Sequence, residues 1–148
     1  MANAVLWQAA FVDRSNILST ELNNLANAAY TNAGTEIANQ TNLDQYGKLE
    51  LAVTFGSAPA AGGYINIYML TAPDGTNYED GSSSVVPESR TFVCQIGVRA
   101  VTAAQRLTTP LFMLLPAKTK FILENKSGVA FPASGSTVKL YTSNDEVQ

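Results

Sequence analysis

From residue 46 onward, apolar and polar positions alternate with a period of two, which predicts half-buried strands. Residues 48–55 show it most cleanly. Leu49, Leu51, Val53 and Phe55 share one face, with Lys48, Glu50 and Thr54 on the other. A stretch rich in Gly, Ala and Pro, 56–63, predicts a turn. Residues 64–70 predict the next strand, with Ile65, Ile67 and Met69 opposed to Tyr64, Asn66 and Tyr68. Both of its faces are apolar enough for a central strand or a second contact surface. Further strands are expected at 91–98 (Phe92, Cys94, Ile96 and Val98 together), 119–124 (Phe121 and Leu123 inward) and 137–141 (Val138 and Leu140 inward). Shorter runs lie at 111–115, closed by Pro116, and at 130–131. Short strands separated by Gly, Pro and Asn turns predict an all-β protein, an antiparallel β-sandwich of jelly-roll type.

Residues 1–45 read differently. Ile17, Leu18, Leu22 and Leu25 fit helical spacing behind a capping Ser15, although Asn23, Asn24 and Asn27 are poor helix formers. One short helix near 19–26 and a strand at 35–39 are the expected elements. The run from Val5 to Val12, with Leu6, Trp7 and Phe11, is strongly apolar for a terminal stretch. The run either packs on its own sandwich or docks on another subunit with Trp7 as the anchor; residues 1–18 are read as such an N-terminal arm, and 19–148 as a single sandwich domain.

Composition narrows the function. Of 148 residues, 46% are hydrophobic and only 14% charged, against a usual quarter or so. A chain of this length buries roughly 70% of its unfolded surface, so it needs no metal or disulfide to fold. The net charge of −3 argues against a nucleic-acid coat or an anionic-membrane binder. No apolar run approaches the roughly 20 residues that span a bilayer, and no basic, apolar leader opens the chain. A soluble protein made in a cytoplasm is the expectation. With no histidine and one cysteine, Cys94, His-based triads, His-ligated zinc and an internal disulfide are excluded.

The long polar loop at 72–90 is the densest candidate for chemistry. Its segment Asp74-Gly75-Thr76-Asn77-Tyr78-Glu79-Asp80-Gly81 is rich in oxygen, as calcium loops are. It lacks the D-x-[DN]-x-[DN]-G spacing, and Val85 stands where the twelfth-position acid belongs. Asp-Gly pairs read better as tight turns. No nucleophile elbow or phosphate-binding loop is present. No catalytic, cofactor or metal residue is assigned, and no enzyme is expected. The candidate partner contacts are Leu6, Trp7, Phe11, Tyr64, Tyr68, Asn77 and Tyr78.

Several segments together resemble small virion proteins of tailed bacteriophages. They are Thr20-Glu21-Leu22-Asn23-Asn24-Leu25-Ala26-Asn27 and the stretch from Ile37 to Tyr46 leading into Leu49-Glu50-Leu51. Tyr68-Met69-Leu70 with the Asp74 to Gly81 segment, Leu115 to Phe121, and Asn125-Lys126-Ser127-Gly128 with Pro132-Ala133-Ser134-Gly135 complete the set. The likeness covers residues 18–144. It implies a capsid decoration, or cement, protein on the virion surface. Its partners would be the major capsid protein and copies of itself, as a dimer or trimer, with neither nucleic acid nor membrane involved. The alternative is a carbohydrate-binding or tail-associated jelly-roll adhesion module, with exposed aromatic residues as its platform.

Overall fold

The computed structural model describes residues 5–7 and 10–147. Eleven strands follow in order: β1 (Val5–Trp7), β2 (Val12–Leu18), β3 (Ile37–Ala38), β4 (Tyr46–Val53), β5 (Tyr64–Ala72), β6 (Phe92–Gly97), β7 (Gln105–Thr108), β8 (Phe112–Met113), β9 (Lys118–Lys126), β10 (Thr137–Ser143) and β11 (Asp145–Val147). One sheet runs β2-β10-β4-β7, with β8 also paired to β4, and the other runs β3-β9-β5-β6. The pairing is palindromic and antiparallel. β2 joins β10, β3 joins β9, β4 joins β7, and β5 joins β6. A long hairpin rolled up in this way is the jelly-roll wrapping of a β-sandwich. The two termini pair separately, as the ribbon β1-β11.

The alternation of β4 sets the core. Leu49, Leu51, Val53 and, just beyond the strand, Phe55 are all buried. They meet Ile65, Ile67, Phe121 and Leu123 of the facing sheet, with Val138 and Leu140 alongside β4. Phe131 lies in no strand, contrary to the short strand expected there, yet it is buried edge-on against Phe55 at 5.3 Å. On β6 the expected alternation fails for Phe92, which is 44% exposed while Ile96 is buried. The β5-β6 register shifts between Ile67 and Tyr68, and such a bulge turns the side chains beyond it to the other face. β7 was not legible. Its inward Gln105 is buried, with its amide donating to Arg99 O and Val101 O and accepting from Arg99 N, so a polar residue stands where an apolar one would have marked the strand.

The N-terminal half departs furthest from expectation. Val12–Leu18, within the stretch assigned to an arm, is an edge strand of the larger sheet, with Ile17 and Leu18 fully buried. Its register against β10 shifts twice, and Ser15 takes φ +76° with its N–H bonded to Asp13 Oδ1. These irregularities hide the period of two. The expected helix at 19–26 is a single 3-10 turn, Thr20–Leu22. Asn24 and Ala28 at φ +55° and +64° prevent its continuation, while Leu22 and Leu25 still reach the core. A four-residue helix, α1 (Asn39–Asn42), stands where the 35–39 strand was expected to end. Residues 28–38 then run beside β9, and Thr35 N–H bonds Ile17 O at 2.8 Å, joining the two sheets along one flank. Gly34 makes this approach possible, because a Cβ there would lie 2.1 Å from Ile17 O.

The two-sided apolar character of β5 also has a structural reason. Ile65 and Ile67 face the sandwich core, whereas Tyr68 and Leu70 join Ile122 in a second cluster on the outer face of the smaller sheet. The chain's own Tyr30, Ala33 and Tyr78 cover it. Gly81 lies so close to Ile122 and Leu70 that a Cβ would approach within 2.9 Å. The 72–90 loop is thus folded down onto the sheet.

Candidate functional site

The apolar run at 111–115 follows β geometry, so alternate residues must point in opposite directions. Phe112 and Leu114 turn inward, and Phe112 meets Phe121 edge-on at 6.0 Å. Leu111, Met113 and Leu115 turn outward and are 39%, 68% and 45% exposed. β8 runs antiparallel to the start of β4, pairing Met113 with Tyr46, and Leu114 N–H bonds Gln45 O. Leu43, 63% exposed, stands just before that segment.

Leu43 is held there at a cost. It adopts φ +55°, ψ +33°, a left-handed conformation that a bulky side chain rarely takes, and closes α1 with its N–H on Asn39 O. The side chain of Asn39, fully buried, fixes this corner. Its amide donates to Asp44 O at 2.9 Å and Leu115 O at 2.8 Å, and its Oδ1 accepts the Asp44 N–H at 2.9 Å. Asp44, itself buried, takes a two-pronged bond from Arg14, whose Nε also donates to Thr142 Oγ1. Polar groups from β2, α1 and β10, with Asn39 and Asp44 buried, therefore fix the corner that carries the exposed Leu43 and tie it, through the Leu115 carbonyl, to the end of the 111–115 run. A hollow of about 210 Å³ lies against Met113, lined also by Gln45, Tyr46 and Leu114. A second, of about 190 Å³, lies between Leu115 and Phe92 and mixes apolar Met69 and Val93 with the charged Glu79 and Arg90. Large exposed apolar side chains such as Leu43, Met113 and Leu115 are candidates for an interaction site.

The sequence-predicted contacts do not converge on one place. Tyr68 is 9% exposed and lies under the chain's own cover, with its ring edge-on to Phe92 at 5.7 Å, so it is not on the surface. Tyr64 is half-buried at the start of β5. Tyr78 is half-buried too. Its hydroxyl donates to Glu36 Oε2 at 2.6 Å, and Lys120 Nζ sits 4.5 Å above its ring. Asn77 is exposed, but its N–H and amide both bond the Asp74 carboxylate, which also takes the Thr76 N–H. These bonds hold the Asp74 pKa below the usual carboxylate value and make the segment a turn closed on itself. Phe11 is 47% exposed on the far side of the larger sheet. The side chains of Leu6 and Trp7 lie outside the described residues.

A second buried carboxylate, in addition to Asp44, is Glu124, bonded by Tyr30 and Tyr68. Burial pushes its pKa up, but bonds from Asn66, Lys126 and Tyr30 outweigh this and hold it below the ordinary value. Among the described residues, no three His, Cys, Asp or Glu side chains come together as metal ligands. Burial raises the Cys94 thiol to about 11, so it is not a thiolate at neutral pH. Leu43 and Met113 were not among the predicted contacts. Their signal was present, a lone leucine in a polar stretch and an apolar run too long for one face of a strand.

Comparison with known proteins finds no family model, no curated protein and no solved structure that matches this chain.

Proposed function

We propose that this protein is a structural, non-enzymatic virion component that binds the outer surface of a phage capsid and stabilises it. The carrying observation is the apolar end built from Leu43, Met113 and Leu115, whose Leu43 corner is fixed by the Asn39-Asp44-Arg14 network. A strained backbone maintained around exposed apolar side chains suits a contact made with another molecule. The resemblance of residues 18–144 to small phage virion proteins supplies the kind of partner, the major capsid protein. A rigid sandwich that bridges neighbouring shell subunits adds contact energy that must be lost before they separate. Several such contacts in a homo-oligomer reinforce one another through effective concentration.

The test is cosedimentation of the purified full chain with empty capsids, beside a Leu43→Asp/Met113→Asp variant. The wild-type protein saturates at lattice numbers of copies, and the variant keeps its melting temperature but binds at least about tenfold more weakly. Equal binding by both proteins would remove the apolar end from the reading. No binding by the wild-type protein would remove the capsid.

A further inference from the structure

The outer face of the larger sheet carries charged and polar side chains, and one place on it differs from a plain solvated strand surface. Lys48 and Glu50 of β4, Arg106 and Thr108 of β7, and Tyr141 of β10 line a depression of about 310 Å³, with Phe11 at its rim. That volume lies at the lower end of the about 300–1,000 Å³ usual for small-molecule sites. Registration builds the floor: Tyr141 stands opposite Lys48, and Glu50 opposite Thr108. Glu50 is fixed by Arg106, whose Nε–H donates to Oε2 at 2.6 Å, while most of the Arg106 side chain remains exposed. Lys139, on the same face, is committed to Asp13 at 3.1 Å. Lys48 makes no ion pair among the described residues, so the depression holds two cations against one carboxylate. Phe11 exposes nearly half of its surface beside this polar floor.

We propose that this depression is a binding site for an acidic saccharide. The combination selects that chemistry. An aromatic ring at the rim packs against the apolar C–H face of a sugar ring. The Glu50 carboxylate accepts from sugar hydroxyls, and Thr108 and Tyr141 each donate or accept. Lys48 and the exposed Arg106 guanidinium, which also bonds Glu50, take the sugar's carboxylate. A neutral sugar leaves Lys48 without its counter-charge, and a small inorganic anion leaves Phe11 without a packing partner. The site lies apart from the Leu43–Met113 end, and its occupancy does not rest on the capsid reading.

The test is titration of the full-length protein with trigalacturonate, galacturonate and neutral maltotriose, followed by amide NMR shifts. Trigalacturonate is expected to saturate with shifts centred on residues 11, 48, 106 and 141, and to bind more weakly as salt is raised. Phe11→Ala and Lys48→Gln should each weaken it about tenfold, the loss expected for one charge-assisted bond or one buried ring face. Saturation by monomeric galacturonate alone at similar affinity marks a site for a single terminal residue. A preference for the trimer marks one for an acidic polymer. Lack of saturation by any acidic sugar overturns the proposal, as do equal binding of maltotriose and shifts centred instead on Lys118 and Lys120. Capsid cosedimentation of Lys48→Gln, run in parallel, keeps the two readings separate.

Discussion

The two sheets turn very different faces outward. On the smaller sheet, Tyr68, Leu70 and Ile122 point away from the core and are covered by residues 30–33 and the 72–90 loop. On the larger sheet, Lys48, Glu50, Arg106, Lys139 and Tyr141 share the outer face, where Arg106 is exposed and the others are half-buried among one another. Apolar area drives the difference. A strand with apolar residues on both faces must bury both, and here the chain supplies its own second cover. A charged face gains nothing from burial and stays open to solvent or ligand. The long loop that invites a functional reading is therefore largely a lid over its own sheet, and the plain alternating strands carry the open surface.

Truncation of the covered face should have the largest effect. Ile122→Ala removes a fully buried side chain beneath Tyr30 and Tyr78 and is expected to cost about 3 kcal/mol in denaturant unfolding. A loss below about 1 kcal/mol would show that the cover does not close the sheet. Acid comes next. Glu124 and Glu36 both sit on this face with lowered pKa values. Glu124 is lowered by bonds that outweigh its burial, and Glu36 first by the Tyr78 hydroxyl and then by Lys118. A carboxylate with a depressed folded pKa stabilises the fold above its unfolded value, about 4.5, and that stability is lost as pH falls through the folded value. Thermal unfolding should therefore turn steeply pH-dependent below about pH 4.5, and Glu124→Gln should flatten the slope. The smallest effect belongs to the open face. Lys48→Ala should leave stability within about 0.5 kcal/mol of wild type. A larger loss would mean that Lys48 is a structural partner and that the two faces differ less than their charges imply.

Regular alternation was readable wherever the strands were regular. In β4, β9 and β10 the inward residues are those the period of two selects. It was unreadable where a bulge reset it, as at Ser15 in β2 and at the Ile67/Tyr68 shift that turns Phe92 outward. Buried polar side chains hid other elements. Gln105 and Asn39 each replace missing backbone bonds in a corner, and nothing local separates them from surface residues of the same type. The apolar end was half legible. Leu111, Met113 and Leu115 sit in an obvious apolar run, but their outward direction depends on which alternate residues β8 turns to the core.

The sequence alone determined the all-β class, the strands of the central sheets and most of the core, because side-chain alternation is a local property of extended backbone. Tertiary structure decided which surfaces remain available. Whether an apolar residue such as Tyr68 is covered, or one such as Leu43 is displayed, depends on segments tens of residues away that reach it only when the sheets close. Coverage is a property of the rolled chain, and no window along the sequence contains both the surface and what lies over it.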